Sequence, residues 1–125
     1  MTKKRKSLGK MGEDLAREHL KKSGCLILEQ NYRVRMGEID LIVEDSGTLV
    51  FVEVKTRCDS TYGSPFDAVT PGKQRQLSKV ALFYLGRHDM LDRPARFDVV
   101  SVQVRTGASP KLEIIKNAFE LCYGI

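Results

Sequence analysis

From Glu38 to Glu44, and again from Thr48 to Lys55, polar and apolar residues alternate, with Ile39, Leu41 and Val43 of one parity in the first run and Val50, Val52 and Val54 of one parity in the second. Alternation with period two predicts two strands that share one buried face. Asp45-Ser46-Gly47 lies between them, and a two-residue Ser46-Gly47 loop would close the strands into a hairpin. That loop sets Asp45 opposite Thr48, and therefore Leu41 opposite Val52, Asp40 opposite Glu53 and Glu38 opposite Lys55. Slipping the register by one residue would turn carboxylates onto the apolar face. A longer loop, Ser46 to Leu49, would instead pair Asp40 with Lys55 in an ordinary surface salt-bridge ladder, but it places Leu49 in the turn.

Upstream, Leu8, Met11, Leu15 and Leu20 fall on or near one helical face behind a Ser7 cap, and the helix closes near Ser23-Gly24. Leu26 to Val34 reads as a strand. Downstream, Thr70-Pro71 opens a second helix with a capping hydroxyl ahead of a first-turn proline. Its buried stripe is Leu77, Val80, Ala81 and Tyr84, and Gly86 is the expected end. Arg96 to Val104 and Lys111 to Lys116 read as two further strands, the last at a sheet edge. The order α-β-β-β-α-β-β predicts an α/β fold, a mixed β-sheet flanked by helices. With 125 residues and 42% hydrophobic content, the chain fits one domain, residues 7–125, behind a basic flexible tail, residues 1–6. The polar stretch Arg57 to Thr70, with Gly63 and Pro65, is long for a connection and reads as a flap over the end of the hairpin.

In the two-residue-loop register, the Asp40 and Glu53 carboxylates face each other with Cβ atoms roughly 5 Å apart. Like charges so placed destabilise the fold unless a cation lies between them. Two oxyanion ligands near solvent suit a hard ion such as Mg²⁺, which keeps several waters and commonly uses one or two carboxylates. Lys55 shares that face.

The ordered set Gly37-Glu38-Ile39-Asp40-Leu41-Ile42 and Phe51-Val52-Glu53-Val54-Lys55-Thr56-Arg57 resembles the PD-(D/E)XK nuclease superfamily. More narrowly, the chain resembles the small YraN-like, endonuclease-like proteins of bacteria. The resemblance runs from Leu8 to about Phe119 and takes in Gly12-Glu13-Asp14-Leu15-Ala16, Pro65 to Val69 and Arg96-Phe97-Asp98. One departure from the superfamily pattern is Ile39, which stands before Asp40 in place of proline. The resemblance implies a restriction-endonuclease-like core and a metal-dependent endonuclease acting on nucleic acid, DNA more than RNA. It assigns Mg²⁺, with Mn²⁺ as a substitute, to Asp40, Glu53 and the backbone carbonyl of Val54. Lys55 would orient or activate the attacking water, and Glu13 would be an accessory acidic ligand or water-positioning group. On spacing alone, Glu13 is equally an i,i+4 partner for Arg17. Glu38 is expected behind the ligands, neutralising Lys55 across the strands.

Charge adds a lean toward a polyanion: 21 Lys and Arg against 16 Asp and Glu give +5 and a pI near 9.2. Of the basic residues, Arg57, Lys73 and Arg75 flank the proposed metal and are the candidates for phosphate contacts. Lys3 to Lys6, Arg33 and Arg35 read as solvated charge. Tyr62 and Phe66 in the long loop are candidates to stack on bases. The competing class is a non-catalytic nucleic-acid-binding accessory protein, against which two apposed carboxylates count, because a binder gains nothing from them beside a polyanion. Cutting both strands of a duplex would favour a homodimer. No stretch is apolar enough to span a bilayer and no signal-peptide core follows the basic start, so a cytoplasmic location is expected. Cys25, Cys58 and Cys122 show no Cys-x-x-Cys spacing and read as reduced thiols. His19 is expected in the core, His88 in a loop, and Asp98 in a structural pair with Arg96.

Overall fold

In the computed structural model, which describes residues 3–58 and 69–121, α1 (Lys3–Lys22) begins at Lys3 rather than behind a Ser7 cap. Lysine and arginine are good helix formers and nothing before Ser7 breaks the turn, so residues 3–6 extend the helix instead of forming a separate tail. The buried side of α1 also differs from the expected stripe. Gly12, Ala16 and Leu20, spaced four apart, are buried, whereas Met11 is 46% exposed. Small residues take this face because the helix lies very close to the sheet. A Cβ added at Gly12 would run into Thr56 Oγ1 and stand 2.8 Å from Thr56 Cβ. His19, expected inside, is exposed.

The strands β1 (Leu26–Val34), β2 (Gly37–Asp45), β3 (Thr48–Cys58), β4 (Ala95–Val104) and β5 (Lys111–Phe119) form one sheet in sequential order. All neighbours are antiparallel except β3 and β4, which run parallel and are joined across α2 (Pro71–Arg87). A parallel pair needs such a crossover. This is the α-β-β-β-α-β-β order and mixed sheet expected of a restriction-endonuclease-like core. The β2–β3 hairpin closes through Ser46 (φ 50) and Gly47 (φ 90), the left-handed pair that a tight hairpin turn requires. Asp45 faces Thr48 and Leu41 faces Val52. The longer loop is thereby excluded, and Leu49 is fully buried.

Both faces of the sheet are covered. On one side Ile39, Ile42, Leu49, Phe51, Phe97 and Val99 pack with Leu77, Val80, Ala81 and Tyr84 of α2. On the other, Leu41, Val43, Val50, Val52, Val100 and Val102 pack with Ala16 and Leu20 of α1. Ile39 and Leu41 have the same parity yet lie in different layers, so β2 reverses its faces at Asp40. β1 does the same at Asn31, which has φ 54. Just before it, Gln30 Nε2 reaches Asp14 Oδ1 of α1 (3.4 Å), and just after it Tyr32 meets Tyr84 of α2 edge-on (5.0 Å between centroids).

Thr70 caps α2 as expected, its Oγ1 accepting from Lys73 N at 3.2 Å. The helix continues past Gly86 to Arg87, and Asp89 (φ 56) takes the left-handed position that closes it. Asp98 is buried and serves a structural purpose: Arg96 Nε donates to it at 3.0 Å, Asn117 N at 2.9 Å, and Arg96 Nη2 bridges on to Asp45 at 2.8 Å. The expected flap, with Tyr62 and Phe66, lies outside the described residues apart from its ends, as does Cys122. Among the described residues, no helix is long and apolar enough to cross a membrane.

Candidate metal centre

The β2–β3 ladder stops at Leu41 and Val52. Beyond that point β3 stays bonded on its other edge, pairing with β4 as far as Cys58. Asp40 fills the parting: its Oδ2 accepts the backbone N–H of Val54 at 2.8 Å. Asp40 and Glu53 therefore meet as expected, though through a broken ladder rather than a continuous one. Alternation along β3 puts Glu53 on the α2 side with Leu49 and Phe51, where Lys73 Nζ lies 3.5 Å from Glu53 Oε2. The Glu53 side chain is only 17% exposed.

The two carboxyls are within hydrogen-bonding reach, and the Asp40 pKa is pushed up to about 8. Burial is the largest cause and the Glu53 charge the next; Glu13 adds to them, and the Val54 N–H works in the opposite direction. Glu13 is thus close enough to act on Asp40. Its Oε1 accepts from Asn31 Nδ2 at 2.9 Å, and Arg17, the alternative partner, turns to Glu18 at 3.3 Å.

Lys55 is exposed and, among the described residues, has no ion-pair partner. Together with Leu8, Gly9, Glu13, Val54 and Thr56 it lines a groove of about 430 Å³ between α1 and β3. Glu38 does not neutralise it. Once β2 parts from β3, Glu38 has no neighbour on β3, and it pairs instead with its β1 partner Arg33 at 3.2 Å. Of the expected phosphate contacts, Lys73 is engaged with Glu53, Arg57 is partly buried on β3, and Arg75 is exposed on the first turns of α2.

Among the described residues, no three side chains of His, Cys, Asp and Glu converge to hold a metal ion by themselves. Two carboxylates beside the Val54 peptide nonetheless suit a hard divalent ion that keeps several waters. A carboxyl that holds its proton to pH about 8 because of burial and a facing carboxylate is a place where a cation relieves repulsion. The sequence reading missed Asn31 and the Gly12–Thr56 approach. An asparagine in mid-strand, against strand propensity, was the available signal for the first.

The model of uncharacterised protein family UPF0102 matches residues 12–102. The chain belongs to this family. UPF0102 proteins of Geobacter sulfurreducens and Syntrophus aciditrophicus are 52% and 51% identical to it, covering 94% and 93% of this chain and 92% and 91% of their own. One from Symbiobacterium thermophilum is 48% identical over 90% of this chain and 95% of its own. Among solved structures, that of Pyrococcus furiosus SfsA in complex with Ca²⁺ is similar at a TM-score of 0.37 and 15% identity. That likeness covers 90% of this chain, which spans 62% of the SfsA chain.

Proposed function

We propose that this UPF0102 protein is a Mg²⁺-dependent endonuclease that hydrolyses phosphodiester bonds in nucleic acid, DNA in preference to RNA. The observation that carries the reading is the Asp40–Glu53 pair, two partly buried carboxyls pressed together at a parting in the sheet, with Lys55 exposed two residues on. Asp40, Glu53 and the Val54 carbonyl would hold Mg²⁺ or Mn²⁺. When bound, the ion supplies charge neutralisation at the phosphate and lowers the pKa of water.

The chain's own groups do the rest. Lys55 places a positive charge where the attacking water and the phosphate oxygens meet, stabilising charge that develops in the transition state. Glu13 offers a carboxylate oxygen to position that water. The groove between α1 and β3 brings the scissile segment past both. Arg57, Lys73 and Arg75 contact flanking phosphates, which fix register without reading sequence. A homodimer would let two such sites act on the two strands of a duplex.

The test is a panel of labelled duplex, branched and single-stranded DNA and RNA, incubated with Mg²⁺ or Mn²⁺ and wild type, Lys55→Met or Glu53→Ala. Wild type is expected to cut at least one substrate. Lys55→Met should keep its fold and Mn²⁺ binding while losing nearly all single-turnover cleavage, because its contribution is made mainly in the transition state. Binding without any cutting by wild type would make the protein an accessory binder. Equal cutting by all three proteins would expose a contaminating nuclease.

A further inference from the structure

Asn31 is the one described residue of β1 with a left-handed backbone, at φ 54. Its neighbours stay paired, Gln30 with Leu41 and Tyr32 with Ile39, so the register puts Asn31 directly across from Asp40. Glycine would supply this conformation with less strain, which leaves the side chain to account for an asparagine here. That side chain donates to Glu13 Oε1 at 2.9 Å. Among the described residues, Oε2 of the same carboxylate has no hydrogen-bond partner.

We propose that Asn31 is a positioning residue that clamps Glu13 of α1 beside the Asp40–Glu53 pair, fixing one carboxylate oxygen so that the other faces the metal and its water. The proposal rests on the metal-centre reading above. A glutamate on a helix surface samples several rotamers, and holding it in one of them removes an entropic loss from every binding event. A second device acts on the same helical turn: Gly12 lets α1 approach Thr56, the residue after Lys55. The clamp and the close approach together make one helical turn a rigid wall of the site, as a preorganised centre requires.

A mutant cycle decides the matter. Asn31→Gly keeps the left-handed backbone and deletes the amide, so a purely conformational role would survive it. Mn²⁺ affinity by calorimetry is expected to fall about tenfold in Asn31→Gly and in Glu13→Ala, the scale at which partners of metal ligands act. The double variant should bind no more weakly than Glu13→Ala. In cleavage, Asn31→Gly should lower kcat with KM little changed. Wild-type Mn²⁺ affinity and kcat in Asn31→Gly would overturn the proposal, as would effects that multiply in the double variant. If Asn31→Gly does not fold, Asn31→Asp serves in its place: it keeps the shape, tolerates the same backbone and replaces the donor with a charge that repels Glu13. A wild type that binds Mn²⁺ but cuts nothing removes the nuclease reading, and the Mn²⁺ cycle still decides for or against Asn31. No Mn²⁺ uptake by wild type overturns both.

Discussion

Replacing Asp40 with asparagine removes one of the two facing carboxyls while keeping an amide oxygen to accept from Val54 N and an NH₂ group to donate to Glu53. In the metal-free wild type, the partly buried Asp40 beside Glu53 holds its proton to pH about 8, whereas the ordinary value is 3.8. Between those values the folded state binds more protons than the unfolded state, so stability is greatest at the acid end, falls as pH rises through the window, and levels off above about 8. At about 1.4 kcal/mol per pH unit the ceiling on this loss is roughly 6 kcal/mol. Among the described residues, Glu13 from α1, Asn31 from β1 and Lys73 from α2 face the pair. The Lys73 countercharge and water in the groove bring the expected loss to about 2–3 kcal/mol at the effective dielectric of a partly solvated site.

Asp40→Asn should abolish that slope. Urea unfolding in the presence of a chelator is expected to give similar stabilities for the two proteins near pH 5, and a variant more stable by about 2–3 kcal/mol near pH 8.5. Saturating Mn²⁺ should close the gap at pH 8.5 by stabilising wild type alone, because a ligand that binds only the folded state adds RT ln(1 + [L]/Kd). A wild type whose stability relative to Asp40→Asn does not fall between pH 5 and 8.5 would refute the reasoning. Equal stabilisation of both proteins by Mn²⁺ would refute the assignment of the ion to Asp40.

The close approach of α1 gives a second expectation: Gly12→Ala should destabilise by about 1–3 kcal/mol through overpacking, even though alanine is the better helix former. Thr56→Ala should restore part of that loss by removing Oγ1 and Cγ2 but not Cβ, and a Gly12→Ala protein as stable as wild type in urea would disprove the contact. Lys73→Met, which removes the cation 3.5 Å from Glu53, should tighten Mn²⁺ affinity by up to about fivefold, the scale of a partly exposed ion pair. Replacing Arg57, Lys73 and Arg75 together with alanine should lower the salt slope of nucleic-acid binding by up to about 3, and an unchanged slope would mean that the backbone runs elsewhere.

The hairpin register was legible because two independent signals agreed: the turn residues Ser46 and Gly47, and an alternation that any slip would spoil. Capping of α2 was legible for a similar reason, since Thr70 and Pro71 act locally. The failures share the opposite cause. Extrapolating the ladder beyond Leu41 put Glu38 opposite Lys55, but the ladder ends where a side chain, Asp40, takes the Val54 N–H. That competition is non-local and leaves no trace in periodicity. The buried face of α1 was misread because Gly12 and Ala16 weigh little on any hydrophobic scale, so Met11 seemed the better core residue. Their small size is what lets the helix approach Thr56. Ile39 shares its parity with Leu41 but not its layer, because the strand reverses its faces between them, opposite the left-handed Asn31 of β1.

Four departures from regular structure gather at one place. Asn31 is left-handed in mid-strand, Asp40 lies outside the hydrogen-bonded pairs on both of its edges, Gly12 brings a helix into contact with β3, and two carboxyls meet without a full complement of positive charge. The left-handed Asn31, the displaced Asp40 and the facing carboxyls each cost stability in the metal-free protein, and apolar clusters packed on both faces of the sheet hold them in place. Strain concentrated so tightly, and supported so well, is the pattern of a site whose geometry serves something other than the fold. The asymmetry is sharpest at Asp40. The substitution expected to stabilise the metal-free protein most at alkaline pH is the one that takes away the proposed metal ligand, so under the proposed function stability and activity ask for different residues at that position.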